Sequence, residues 1–404
     1  MTAASHPMAS ADRKARRNAL VLALALCFGG GIPAISVAVG GLAGQYLLGA
    51  DKSLATLPVS MFILGTATGS IPAALLMKYV GRRNGFLCGA ILSMTGALVA
   101  AWAVVVHHFW LFCLAHVMLG FANAFVQQYR FAAADVATPA FAPKAISWVM
   151  LGGIGAAVTG PQTAILTKDL LSPLPFAGAY LGAATLAMIA AAILLRLDIP
   201  HVPVREQPQG GRSLGEILSQ RRFIVAVLCA IGAYSMMSFV MTAAPLAMIA
   251  CNHSQAEAAL GIQWHVLAMY GPSFFTGALI ARFGKEKVVA FGLILLAACA
   301  VVGLNGVDLA HFWLALILLG VGWNFGFIGA TAMVTETYRP EEKATVQAAN
   351  DFLLFGCVAF ASFMSGNLFN AHGWETINHI VFPVVGLCMV LLLVNALLRR
   401  GEGV

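Results

Sequence analysis

The run His108-Phe-Trp-Leu111 returns as His311-Phe-Trp-Leu314, 203 residues later in a chain of 404. Ser70, Leu76, Gly81, Gly89 and Ile91 come back at the same interval as Ser273, Leu279, Gly284, Gly292 and Ile294. Chance rarely keeps one interval through two separate sets, so the chain reads as two copies of one unit.

Composition says what the unit is made of. Apolar residues are 60% of the chain and charged ones 10%, against roughly 45–50% and about 25% in soluble domains. A bilayer asks for about 20 apolar residues per spanning helix. Twelve such stretches can be counted, near 19–48, 54–77, 85–106, 109–133, 145–168, 174–196, 223–250, 258–281, 288–306, 312–336, 346–369 and 377–398. The expected fold is an all-α membrane protein with twelve transmembrane helices in two pseudo-symmetric six-helix bundles. Residues 1–18 form a polar N-terminal segment, 19–196 the first bundle, 197–222 a linker, 223–398 the second bundle and 399–404 a tail. Pro200, Pro203, Pro208, Gly210 and Gly211 argue against a folded domain in the linker, while 213–220 suits a short surface helix. The first apolar stretch is too long for a signal core of roughly 7–15 residues, so it reads as an uncleaved span. A duplicated apolar chain is the pattern of a secondary transporter, in which two bundles rock about a solute site near the midplane.

Lys and Arg are retained on the cytoplasmic side of a membrane. With the N-terminus inside, 21 of the 23 fall on that side and only Lys52 and Lys168 outside, which assigns both termini to the cytoplasm. The net charge of +7 is this bias in sum. It calls for no nucleic acid; the lipid bilayer is the expected partner. The eight cysteines lie nearly all in apolar spans with no Cys-x-x-Cys pair, which reads as packing. No grouping of His, Cys, Asp or Glu has the spacing of a metal site or of a nucleophile and its base, so no metal, cofactor or enzyme chemistry is expected. Glycines within spans, such as Gly65, Gly69, Gly152 and Gly155, suit close helix approach. Pro33, Pro72, Pro161, Pro245 and Pro272 permit kinks in helices that open alternately to each side.

After the eighth span the chain reads Gly277-Ala-Leu-Ile-Ala-Arg-Phe-Gly-Lys-Glu-Lys-Val-Val289, and after the second Ala74-Leu-Leu-Met-Lys-Tyr-Val-Gly-Arg-Arg83. Both resemble the signature of the major facilitator superfamily, Gly-x-Leu-x-Asp-Arg-x-Gly-Arg-Lys. They keep a turn glycine and basic residues, Arg82 and Arg83 in one copy and Arg282 and Lys285 in the other. They lose the acidic residue, with Lys78 and Ala281 in its place. Such a loop is read as a cytoplasmic latch. The inverted charge at Lys78 calls for a compensating partner, expected to be Asp351 in the outward-open state; the competing reading is two solvated loop charges. Asn123, Asp135 and Pro139 recur as Asn324, Glu336 and Pro340, so the fourth and tenth spans end as matched gates. Arg130 and Asp135 belong to an unusually polar run and read as gate charges near water, because a charge facing lipid is costly unless paired.

Similarity to the proton-driven exporters of that superfamily is partial. Their Arg-x-x-x-Gly pattern has His116 in place of the Arg before Gly120, and their fifth-span Gly-Pro pattern survives only as Gly155 through Gly160-Pro161. His116 and His265 can pass a proton near neutral pH, and Asp351 is a third candidate for coupling. A histidine hydrogen-bonded between helices explains each equally well.

The resemblance implies a solute cavity between the first, fourth, seventh and tenth spans. Residues at those depths are Ser36, Phe121, Asn123, Gln127, Tyr234, Met237, Ser238, Met241, Trp323, Asn324 and Phe325, with Gln263, Trp264 and His265 at the border. The set is aromatic and amide-bearing, with no mid-membrane cation. It suits a neutral or weakly charged planar molecule, and packing is the competing reading for each residue. Segments 123–135, 242–248 and 261–270 are similar to a group of proteobacterial facilitators that includes a riboflavin uptake transporter. That implies an inner-membrane, multi-pass importer of riboflavin or a similar planar organic solute, acting as a monomer by alternating access. The alternative is proton-coupled efflux of amphipathic compounds, which requires a titratable residue that a facilitator does not.

Overall fold

A helix that is apolar all round is stable only inside other protein or in lipid. The computed structural model of the chain describes residues 5–135, 137, 141–199, 211–339 and 342–402. It is 86% helix, and no strand occurs among the described residues. Pro139, Pro340 and residues 200–210 of the expected linker lie outside them. Nine helices among the described residues are long and apolar enough to cross a membrane, or ten if one bent pair is a single span. Large apolar side chains stand exposed along them, Ile71 by 63%, Leu166 by 80% and Phe352 by 74%. Water penalises such a surface and lipid accepts it.

The chain forms two compact units, the first of Met1–Asp51 and Leu57–Val204, the second of Lys52–Thr56 and Arg205–Val404. In the first, α1 (Ser5–Gly29) and α2 (Gly31–Leu47) share the first apolar stretch, followed by α3 (Leu57–Val105), α4 (Phe109–Val126), α5 (Tyr129–Asp135), α6 (Ala142–Thr167) and α7 (Ala177–Leu194). Helix α1 starts well before the apolar stretch does, because hydropathy marks where lipid begins and not where backbone hydrogen bonding begins. Helix α3 continues through the expected second and third spans and breaks at Gly81, with φ 82° and ψ 161°. It packs along α4, and α1 packs along α6. The glycines of α6 form that second seam, Gly152 against the Ala23 carbonyl and Gly155 against Cys27. The fifth-span glycine pattern is thus spent on close helix packing.

The second unit holds α8 (Leu214–Leu218), α9 (Arg221–Ala250), α10 (Gln255–Tyr270), α11 (Ser273–Phe283), α12 (Lys285–Asn305), α13 (Leu309–Val334) and α14 (Lys343–Glu402). Ser213 and Glu216 cap α8 reciprocally. Helices α10 and α11 meet at 43°, at Gly271 and Pro272, where the missing proline N–H makes a bend cheap. Helix α14 breaks at Gly373, φ 77°. Gly284, between α11 and α12, has φ 89° and ψ 156°, nearly the angles of Gly81. Side-chain-bearing residues rarely tolerate that region, so the duplicated unit has kept a backbone shape along with its sequence. The repeated tetrapeptide behaves less uniformly. Phe109 and Phe312 are both buried, but Trp110 is exposed, while the indole of Trp313 donates to the Glu257 carbonyl at 3.2 Å.

Candidate functional site

Polar groups inside a membrane protein must find partners within it, so a buried one without a partner is a natural place for a solute to bind. In the first unit, Asn123 on α4 donates to the Thr66 hydroxyl of α3 at 3.3 Å. Thr66 in turn reaches the Gly120 carbonyl at 3.1 Å. Phe121 packs against Gly69, and Gln127, which closes α4, is exposed. Ser36 is buried and its hydroxyl has no protein partner.

His116 has both ring nitrogens committed. Nδ1 lies 2.9 Å from the Phe112 carbonyl and Nε2 3.1 Å from the Tyr180 hydroxyl, all fully buried. A carbonyl can only accept, so Nδ1 carries the proton and Nε2 accepts from Tyr180. This is the arrangement of a neutral imidazole tying α4 to α7. His265, also buried, gives Nδ1 to the Leu316 carbonyl at 2.8 Å and leaves Nε2 without a partner.

In the second unit, Asn324 is occupied on every side. Its amide nitrogen donates to the Met269 carbonyl at 2.6 Å and to the Ser273 hydroxyl at 2.7 Å, and its oxygen accepts from Thr276 at 2.6 Å. It bolts α13 to α10 and α11, and its amide has little left for a solute. Its neighbours differ. Trp323 and Phe327 of α13 stack with centroids 5.2 Å apart and planes 18° apart. Tyr234 of α9 stacks on Phe327 at 5.0 Å and 20°, and tilts against Trp323 at 5.3 Å. Phe355 of α14 meets Tyr234 edge-on at 5.8 Å. Beside these rings, the Trp323 Nε1 and the hydroxyls of Ser235 and Ser238 are buried without partners. Met241 is half-buried one turn beyond Ser238. Trp264 is 40% exposed and tilts toward Trp313 at 6.5 Å. Reasoning from sequence missed Phe327 and Phe355. The signal for Phe327 is its place one helical turn after Trp323; for Phe355 there is none, since its contact depends on how α14 packs on α9.

The expected gate residues gather at the basic end of each unit. In the first, Arg17 and Arg83 donate to the terminal carbonyls of α7, at Arg196 (3.3 Å) and Leu195 (2.8 Å), and Lys14 pairs with Asp198 at 2.9 Å. These cations sit where the α7 dipole favours them. Arg82 reaches the Met77 sulfur at 3.9 Å. Arg130 lies 4.8 Å over the Phe131 ring, and Arg282 of the second unit 5.3 Å over Phe283. Lys78 is exposed, and the Asp135 side chain lies outside the described residues. In the second unit Glu336 bridges Lys285 at 2.8 Å and Arg222 at 3.3 Å. Asp351 is exposed and accepts from Asn350 at 3.1 Å.

A pair that sequence did not single out lies beside them. Arg212 clasps the buried Glu342 carboxylate through Nε at 3.0 Å and Nη2 at 2.8 Å, while its backbone N–H donates to the same carboxylate. That guanidinium, helped by the Arg339 N–H, holds the Glu342 carboxyl well below the ordinary carboxylate range, at about 2.

The Major Facilitator Superfamily model matches residues 19–353 and 226–402. The chain belongs to the major facilitator superfamily. It is 50% identical over 385 residues to the riboflavin transporter RfnT of Brucella anthropi, covering 94% of this chain and 96% of that one. Two uncharacterized MFS-type transporters of Bacillus subtilis are also similar. YdeG is 30% identical over 87% of this chain and 85% of its own, and YddS 29% identical over 93% and 89%. As a member of the superfamily the chain is a secondary transporter and a multi-pass membrane protein, and not an enzyme.

Proposed function

We propose that the chain carries riboflavin, or a closely similar planar solute, across the bacterial inner membrane by alternating access. The observation that carries this is the stack of Tyr234, Trp323 and Phe327 with the unpartnered Trp323 Nε1 and Ser238 hydroxyl beside it. A flavin offers a flat tricycle to the rings and polar edge atoms to the donors. Identity of 50% to a riboflavin transporter along nearly the full length of both chains supports the same solute. Twelve spans follow when the bent pair α10 and α11 is one span and α3 and α14 are each divided at their positive-φ glycine. In this reading six spans form each bundle, both termini face the cytoplasm, the direction is uptake, and the protein works as a monomer in lipid.

The basic ends serve as the cytoplasmic gate. Glu336, Lys285 and Arg222 form the latch of the second unit, and Lys78 and Asp351 pair in the outward-open state. Proton-coupled efflux is not favoured, because the relative at 50% identity is named for riboflavin and both nitrogens of His116 are already engaged. A direct test is titration of the purified protein with riboflavin. A ring stacked on Trp323 quenches flavin fluorescence saturably, and Trp323→Phe weakens binding about 5-fold or more through loss of the indole donor. A correctly folded protein that leaves riboflavin fluorescence unchanged at micromolar concentrations would count against the reading.

A further inference from the structure

The ring stack stands far from positive charge. Tyr234 is twelve residues along α9 from Arg222, about 18 Å at roughly 1.5 Å per residue. No Lys or Arg occurs between Arg222 and Arg282 or between Lys287 and Arg339. The first half is equally bare, with none between Arg17 and Lys52 or between Arg83 and Arg130. At the basic end of the unit Arg222 and Lys285 are engaged with Glu336, and Arg212 with Glu342. What the stack does offer is neutral: parallel rings, an indole N–H and serine hydroxyls.

We infer that Phe327 is a specificity-determining residue in a site that accepts the uncharged planar ring with a neutral polyol chain and refuses the same ring bearing a phosphate. This rests on the riboflavin reading above and narrows its substrate class. A phosphate monoester brings about −1.5 to −2 of charge at neutral pH. With no Lys or Arg in 223–281 or 288–338, the stretches that hold Tyr234, Trp323 and Phe327, that charge must be stripped of water unpaired. Phe327 is the ring common to both near-parallel stacks, so it fixes the planes of Tyr234 and Trp323, and a flat ligand extends an array already aligned. In metabolic terms, hydrolysis of the phosphomonoester must precede uptake of any flavin supplied as its phosphate.

The test is uptake of labelled riboflavin into liposomes holding the full chain, with unlabelled competitors. Excess lumichrome, the bare tricyclic ring, should inhibit nearly as well as riboflavin, whereas riboflavin 5′-phosphate should be at least about 100-fold weaker. Phe327→Leu should raise KM about 10-fold, the scale of one lost aromatic stack, with maximal rate within about 2-fold, and Phe327→Tyr should restore the original KM. Equal competition by the phosphate, measured on the unaltered chain, would overturn the inference and leave riboflavin transport standing. So would an unchanged KM in a folded Phe327→Leu protein. Failure of the unaltered chain to take up riboflavin would instead bring down the transport reading itself.

Discussion

At the 201-residue interval that aligns Asn123 with Asn324, Trp323 and Phe327 of the second unit correspond to Ala122 and Val126 of the first. Elsewhere the two units have stayed close. Gly81 and Gly284 hold nearly the same unusual backbone angles, and an asparagine ties the fourth or tenth span to its neighbour in each. The duplicated skeleton has therefore kept its turns and its bolts and changed the side chains that line a candidate site. In the first unit Phe112, His116 and Tyr180 close on one another, and of the expected cavity residues there Ser36 alone keeps a buried hydroxyl without a partner. In the second unit three donors, the Trp323 indole and the hydroxyls of Ser235 and Ser238, stay unused beside a ring stack. Recognition is assigned mainly to one half for that reason.

The largest expected effect breaks this asymmetry. Trp323→Ala should raise the KM for riboflavin about 10- to 100-fold, since a base-sized stack is worth roughly 1–3 kcal/mol, while Val126→Ala at the matching position should leave it within about 2-fold. Concentration-dependent uptake measures both, and equal effects would remove the distinction. A second contrast concerns the bolts. Asn324→Ala strips partners from Thr276, Ser273 and Met269 and should cost about 1–3 kcal/mol of stability, against less than about 1 kcal/mol for Asn123→Ala with its single longer bond. Thermal unfolding in detergent ranks the two, and the reverse order would show that the amides are not comparable.

A third prediction concerns the gate. Lys78→Asp and Asp351→Lys should each slow uptake by up to about 5-fold, the scale of an exposed ion pair, and the double exchange should recover the rate. No recovery would mean the two charges do not meet. The smallest effect is one of pH. Because the Glu342 carboxyl is held low, at about 2 against an ordinary 4.5, its contribution is complete above the ordinary value and is lost only as pH falls toward 2. The difference in unfolding temperature between the unaltered protein and Glu342→Gln should stay constant from pH 5 to 8 and shrink below about 4.5. A slope inside the neutral window would assign the pH dependence to another group.

Sequence carried the parts of this molecule that depend on short-range chemistry. The apolar stretches outline the spans because lipid reads composition directly, and Gly81 and Gly284 announce their turns because few other residues tolerate that backbone. The onset of α1 at Ser5 was hidden, since a polar helix and a polar coil look alike to a hydropathy count. Contacts across the fold were hidden for a different reason. The sequence left His116 open between proton coupling and a hydrogen bond between helices, because Tyr180, the partner of its second nitrogen, lies 64 residues on. Asn324 stood between solute contact and packing, and the hydrogen bonds to Thr276 and Ser273 that engage its amide come from another helix. Phe327 drew no notice in the sequence, because Tyr234, the ring it lies parallel to, is on another helix. Each of these depends on which helices become neighbours, which no local pattern specifies.

The proposed route takes riboflavin through the second unit's ring stack. Its most direct test is growth of a bacterium that can neither make nor import riboflavin, expressing this chain at micromolar riboflavin, with labelled uptake measured alongside. Growth and uptake restored by the unaltered chain, and lost with Trp323→Ala at equal membrane abundance, are the predicted result. No uptake by a chain shown to be folded in the membrane, or uptake indifferent to Trp323, would contradict it.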